Sequence, residues 1–171
     1  PPAVDLVLLH RASVFHGIPL VFLEVTRTRA QPIPLPPNAT GVSLALEHQR
    51  TVAVALDLHP GTRQVVLVGG ASPGDRALTE FARQLVQARM PGLTTVSLAG
   101  QPLEEQLAEL AQLPEHTVVV FVDYTADAGG RPTVAREVLR RISAASRVPV
   151  YGGAETYLGF GIVGGDLIRF G

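Results

Sequence analysis

From residue 41 onward, short valine-rich runs alternate with segments of helical periodicity, and this alternation limits the possible folds more than any other feature. Chains that alternate strands and helices in this way form parallel sheets covered by helices on both faces. We therefore predict an α/β fold, with three α/β/α layers around a mainly parallel sheet. The runs predicted as strands are residues 4–9, 20–25, 41–46, 64–68, 94–98, 117–122, 149–151 and 162–170.

Four segments between these runs predict helices, because their apolar residues recur at helical spacing. The clearest segment places apolar residues at i, i+3, i+4 and i+7, namely Leu78, Phe81, Ala82 and Leu85. Residues 103–111 and 134–142 show the same pattern, and residues 47–58 show it more weakly.

The composition excludes several classes of function. A net charge of −1 provides no basic footprint for nucleic acid. The absence of cysteine rules out disulfides and thiolate metal sites, and the five histidines are not spaced as metal ligands. No apolar run reaches the ~18 residues that a membrane span needs. Because both ends of the chain look strand-like, we expect it to be a fragment of a larger protein.

The segment "VLVGGASPGD", residues 66–75, predicts a strand, a glycine turn and the start of a helix. Such a turn can hold an anion at the helix N-terminus. A P-loop requires a lysine that this chain lacks, and the G-x-G-x-x-G dinucleotide spacing is also missing. We therefore predict no phosphate cofactor, and an ordinary turn that places Ser72 near a cleft where a different ligand could bind.

Polar residues also follow the apolar run at 117–122, where Asp123, Tyr124 and Thr125 stand in sequence. In open parallel sheets, ligands bind beyond the carboxyl ends of the strands. These three residues are therefore candidate ligand contacts. Two alternatives stay open for Asp123, which could instead accept hydrogen bonds from the amides of the next loop or act as a phosphoacceptor, although a phosphoacceptor would want a nearby lysine.

The stretch "VPVYGGAETYLGFGIVGG", residues 148–165, follows the last predicted helix. Glu155 and Tyr157 lie after its short strand and are further candidate ligand contacts, since tyrosine offers a flat apolar face with a polar tip. The alternative is a surface loop with ordinary turn glycines. No G-x-S-x-G elbow, metal cluster or acid/base pair is visible, so we predict no catalytic residues and no enzyme activity for this region.

Five fragments, taken in order, resemble a known family. They are "GIPLVF" at 17–22, "NATGV" at 38–42, "LHPGTRQVVLV" at 58–68, "VPVYG" at 148–152 and "GIVGG" at 161–165. The chain resembles the ABC-type substrate-binding-like family, which has the type I periplasmic-binding-protein fold. Within that family it is most similar to the extracytoplasmic sensor regions of bacterial two-component histidine kinases.

The resemblance implies a Rossmann-like second lobe at residues 43–151. Residues 1–42 would then be the remnant of an incomplete first lobe with the first crossing, and residues 152–171 the return crossing. It also implies that an unidentified small molecule binds between lobes. By position, the resemblance points to the ligand contacts Ser72, Asp123, Tyr124, Glu155 and Tyr157. Residues 10–17 depart from the family, which would place a helix there after its strand.

The function that this resemblance implies is ligand sensing, without catalysis, on the periplasmic side of a bacterial inner membrane. Its partners would be the missing lobe, the membrane and kinase segments of the same protein, and a second copy in a homodimer. The alternatives are the solute-binding protein of an ABC transporter and a small α/β enzyme.

Overall fold

The structure is a computed structural model that describes residues 2–26, 37–44 and 48–167. The chain divides into two compact units, Pro1–Leu46 and Glu47–Gly171. In the described parts, no helix has the length and hydrophobicity that crossing a bilayer requires. The boundaries of the second lobe, predicted at residues 42 and 151, stay a prediction.

The first unit contains helix α1 (Pro2–Leu9) and two parallel strands, β1 (Leu20–Thr26) and β2 (Ala39–Leu44). Both strands were predicted, although residues 45 and 46 of the second prediction lie outside the described residues. The strand predicted over residues 4–9 is wrong, because the structure has α1 there. A short apolar run does not distinguish a strand from a helix, and here a proline at the first position and several leucines favour the helix.

The second unit alternates helices and strands in the predicted order. It comprises α2 (His48–Leu58), β3 (Gln64–Gly69), α3 (Pro73–Arg89), β4 (Thr94–Ser97), α4 (Leu103–Leu110), β5 (Thr117–Asp123), α5 (Ala135–Ala145) and β6 (Val150–Gly152). A short 3₁₀ turn, Glu155–Tyr157, follows β6. The sheet order is β4-β3-β5-β6 and every neighbouring pair is parallel, which confirms the predicted α/β class.

The last predicted strand, residues 162–170, is wrong in its described part, because residues 162–167 form no strand. The segment still lies along β6, where the Val163 N–H donates to the Val150 carbonyl at 2.8 Å and the Gly152 N–H donates to the Gly164 carbonyl at 3.0 Å. Glycines weaken a strand because they lose more backbone entropy and offer no side chain to pack. Residues 168–170 lie outside the described residues.

Both faces of the four-stranded sheet are buried, as valine-rich parallel strands require. On one face, Val66, Val119 and Phe121 belong to a buried cluster that also includes side chains from α4 and α5. Residues at alternate positions, such as Val65 and Val120, are buried as well. Helices α2 and α3 pack against each other and against the sheet, which completes the three layers.

Candidate functional site

The carboxyl ends of β3 and β5 form the point where the direction of the chain across the sheet reverses. From β3 the chain passes through α3 to β4 at one edge, and from β5 it passes through α5 to β6 at the other edge. In parallel α/β sheets, a crevice opens where the connections diverge in this way. The residues that follow β3 and β5 therefore lie at this point of reversal.

Ser72 and Asp75 form a capping box at the start of α3. The Asp75 N–H donates to Ser72 Oγ at 3.0 Å, and the Ser72 N–H donates back to Asp75 Oδ2 at 3.2 Å. This exchange satisfies two amides that the first helical turn leaves without partners. Ser72, a predicted ligand contact, thus has a clear structural role in this position.

Asp75 also holds the loop that follows β5. Its carboxylate accepts hydrogen bonds from the Thr125 N–H at 3.1 Å, the Thr125 hydroxyl at 2.8 Å and the Ala126 N–H at 3.3 Å. The residue is buried, being only 2% exposed. A buried carboxylate requires such partners, so Asp75 ties the β3–α3 turn to the β5–α5 loop.

Two backbone hydrogen bonds and two glycines allow this close approach. The Gly70 N–H donates to the Asp123 carbonyl and the Ala71 N–H donates to the Ala126 carbonyl, both at 2.9 Å. A Cβ on Gly70 would overlap Asp75 Oδ2, and one on Gly69 would overlap the Thr79 hydroxyl. The glycine pair is therefore explained by packing and needs no phosphate ligand.

Asp123 lies at the end of β5 beside Tyr157. Its Oδ1 accepts the Tyr124 N–H at 2.8 Å and the Tyr157 hydroxyl at 3.4 Å. Burial raises the pKa of the Asp123 carboxyl, and the negative charge of Asp75 adds to that rise. Burial and the Asp123 charge likewise raise the pKa of Tyr157, which therefore stays a neutral hydrogen-bond donor.

Tyr124 and Glu155 complete the predicted set. Tyr124 is fully buried in the cluster under α4 and α5, and among the described residues its hydroxyl has no hydrogen-bond partner. Its carbonyl accepts the Thr133 hydroxyl at 2.8 Å. Glu155 begins the 3₁₀ turn after β6 and is half-buried.

The structure thus brings four of the six predicted residues together in two pairs at one edge of the sheet, and Tyr124 and Glu155 belong to neither pair. The Ser72 and Thr125 hydroxyls lie 2.9 Å apart, and Asp123 contacts Tyr157. Asp75 was not among the residues predicted for the site, although the spacing S-x-x-D at residues 72–75 is a capping-box signal. The contacts of these residues with a ligand stay a prediction.

The chemistry available at this edge is that of hydroxyls and of the half-buried carboxylates of Asp123 and Glu155. The described residues contain no group of three histidine, cysteine, aspartate or glutamate side chains that could hold a metal ion. Asp75 accepts hydrogen bonds at both of its oxygens. Asp123 differs, because in the part of the chain described here no arginine pairs with it and its Oδ2 accepts no hydrogen bond. This oxygen therefore keeps its capacity to accept a hydrogen bond.

No protein-family model matches the chain, and no curated protein matches it significantly. Among solved structures, the LpoA (YraM) C-domain from Haemophilus influenzae, described as a regulator of PBP1A, superposes with a TM-score of 0.52 at 12% identity. That match covers 88% of this chain and 44% of the C-domain. Full-length LpoA from the same organism gives 0.51 at 12% identity, over 89% of this chain and 26% of LpoA.

A conserved domain protein from Vibrio cholerae is also similar, with a TM-score of 0.53 at 17% identity over 78% of this chain and 43% of that protein. The chain therefore spans less than half the length of each similar structure. At these identities the likeness shows the fold alone. It loosely supports an α/β fold of the periplasmic-binding-like kind.

Proposed function

We propose that this chain is the ligand-sensing region of a bacterial extracytoplasmic signalling protein and has no catalytic role of its own. The observation that carries the proposal is Asp123, a half-buried carboxylate at the carboxyl edge of the sheet with one oxygen not engaged by the described residues. Burial disfavours its charged form, so a ligand that donates a hydrogen bond to it gains more than it would at a solvated carboxylate.

The Ser72–Thr125 pair supports the same proposal. Ser72 follows the neighbouring strand β3 and Thr125 follows β5, and at the same edge the two residues offer hydroxyl groups that can donate or accept. Ligands of open α/β sheets bind at this kind of edge. A ligand that binds one conformation better than another shifts their populations, which is how sensing would be transmitted.

The narrower assignment, to the sensor region of a two-component histidine kinase at the inner membrane, rests on the five fragments that resemble that family. The structural likeness concerns the fold alone and does not bear on the kinase link. If this assignment is right, the full-length protein carries a membrane helix and a kinase core. Sequencing the gene beyond both ends of the chain tests it, and a stop codon directly after a secreted domain would favour a transporter component instead.

A thermal-shift panel of amino acids, carboxylates, sugars and nucleobases tests ligand sensing on the full-length protein. A ligand of the folded state raises Tm by mass action. We expect at least one compound to raise Tm, and Asp123→Asn to abolish that rise. The matched control is Asp57→Asn on the exposed end of α2, which should leave it unchanged. No rise with any of the four classes of compound would contradict the proposal.

A second candidate function is regulation through a protein partner. It is favoured by the structural likeness to the LpoA C-domain, which is described as a regulator of PBP1A. In this case a protein, not a metabolite, would stabilise the folded state. Cross-linking of the full-length protein in its own cells, followed by mass spectrometry, tests it, and we would expect one partner to be cross-linked through unit Glu47–Gly171.

A further inference from the structure

A groove opens between the start of α4, the start of α5 and the loop that joins β5 to α5. Its volume is about 620 Å³, which is within the range of small-molecule sites. Neither Asp75 nor Asp123 lines it, so it is separate from the pairs at the carboxyl edge. Its apolar lining includes Leu103, Pro132 and Val138.

The Tyr124 hydroxyl is the unexplained polar group of this groove. Tyr124 lines the groove and is fully buried, and its hydroxyl has no partner among the described residues. A buried hydroxyl without a partner is unfavourable, since it has lost its hydrogen bonds to water. Burial also raises the pKa of this hydroxyl, so it stays neutral and its oxygen can still accept a hydrogen bond.

The charged residues of the groove are mostly paired with one another. Arg131 Nε lies 3.0 Å from an Asp127 carboxylate oxygen, and an Arg141 guanidinium nitrogen lies 2.7 Å from a Glu104 oxygen. Glu137, in the first turn of α5, also lines the groove and has no ion pair within the described ranges. With Glu105 in the first turn of α4, four carboxylates stand against two guanidinium groups and the half positive charges of the two helix N-termini, so the region is net negative and favours a cation.

We propose that this groove binds a small organic ammonium ion with a compact apolar body. The ammonium group donates hydrogen bonds to the Glu137 carboxylate and to the Tyr124 hydroxyl oxygen. The apolar body packs on Leu103, Pro132 and Val138. This site is additional to the sensing site proposed above and does not depend on it.

Three probes that share one ring separate the contributions of charge and apolar packing. We would titrate ¹⁵N-labelled protein, as the full chain, with benzylamine, benzyl alcohol and benzoate, and follow the amide resonances. We expect benzylamine to bind most tightly and to shift the amides of residues 102–104 and 127–138. Benzoate, whose charge is repelled by Glu137, should bind most weakly.

Two matched pairs of variants test the assigned contacts. Glu137→Gln should weaken benzylamine binding about threefold, as expected for a partly exposed ion pair, and leave benzyl alcohol binding unchanged. Glu109→Gln, which removes an exposed charge of α4 outside the groove, should leave both unchanged. Tyr124→Phe should weaken benzylamine binding, whereas Tyr151→Phe, which removes another buried hydroxyl without a described partner, should not.

Several results would overturn the inference. They are equal or tighter binding of benzoate, no shift with benzylamine at about 10 mM, where even a weak millimolar complex would be populated, and shifts confined to residues 70–72 and 155–157. A fourth is equal weakening by Glu137→Gln and Glu109→Gln. Binding at the sensing site is measured with Asp123→Asn and with different amide resonances. A failure of ligand binding in the groove would therefore leave the proposed function intact, and the two negative results can be distinguished.

Discussion

At the scale of single residues, Asp75 has more structural consequences than any of the predicted ligand contacts. Its carboxylate joins the capping box of α3 to two amides and a hydroxyl of the loop after β5. A buried carboxylate is unfavourable unless other partners replace water, and here amides and a hydroxyl of the protein do so. The residue therefore fixes the geometry of the edge at which Asp123 and Thr125 are presented.

Replacing Asp75 tests this role. We expect Asp75→Ala to lower the free energy of unfolding by about 2–4 kcal/mol, because it removes a helix cap and leaves several loop donors without an acceptor. Ser72→Ala, which removes the cap alone, should cost about 1 kcal/mol. Urea denaturation measures both, and equal losses for the two variants would show that the tie to the β5–α5 loop contributes nothing.

At the scale of elements, the turn between β3 and α3 depends on how closely its backbone approaches the loop after β5. The Ala126 carbonyl would lie 2.8 Å from a Cβ built on Gly70, and Asp75 would overlap it. Both neighbours are held by hydrogen bonds, so neither moves without breaking them. For steric reasons, a side chain at residue 70 would displace these neighbours, so the turn needs glycine there.

A pair of glycine variants tests the close packing of the turn between β3 and α3. Gly70→Ala should destabilise the protein by about 1–3 kcal/mol through overpacking. Gly92→Ala is the control, because nothing lies within 4 Å of a Cβ there. We expect Gly92→Ala to be neutral or slightly stabilising, because alanine leaves the unfolded chain fewer conformations than glycine does. Chemical denaturation of both variants gives the comparison, and a neutral Gly70→Ala would contradict the described packing.

At the scale of the whole molecule, burial on both faces of the sheet makes the stability sensitive to pH. His48, at the start of α2, is buried and its Nε2 has no partner among the described residues. Burial lowers the pKa of His48 from 6.5 to about 4. The folded state therefore keeps this histidine neutral at a pH where the unfolded chain already binds a proton.

The sign of the effect follows from proton binding in the two states. Between pH 6.5 and about 4 the unfolded state binds one more proton, so stability falls as the pH falls. The slope from this residue is about 1.4 kcal/mol per pH unit, or roughly 3 kcal/mol in all. We expect His48→Leu to lose this part of the pH dependence in urea unfolding at pH 7, 5.5 and 4.5.

A control separates this effect from general acid destabilisation. His10→Leu replaces an exposed histidine of the first unit and should keep the slope of the unchanged protein. If His48→Leu and His10→Leu show the same slope between pH 7 and 4.5, burial of His48 does not govern the acid sensitivity.

Much of the fold could be predicted because local and global preferences agree. The runs at 64–68 and 117–122 are valine-rich and the helix segments keep a 3.6-residue period, so each element is encoded in its own residues. The prediction failed at residues 4–9 and 162–167, where a short apolar run is compatible with more than one conformation. Because neighbouring strands of the sheet are parallel, their carboxyl ends lie at one edge. The edge that carries the candidate site was therefore predictable as well.

The sequence by itself determined the alternation of elements, the parallel class of the sheet and the edge where polar residues collect. Only the tertiary structure decided which of those residues meet: Asp75 with Thr125, Asp123 with Tyr157, and Tyr124 with the groove beside α4 and α5. The physical reason is the separation along the chain over which each kind of interaction acts. Propensity and periodicity act between neighbours along the chain, whereas strand order and side-chain partners depend on packing between segments tens of residues apart.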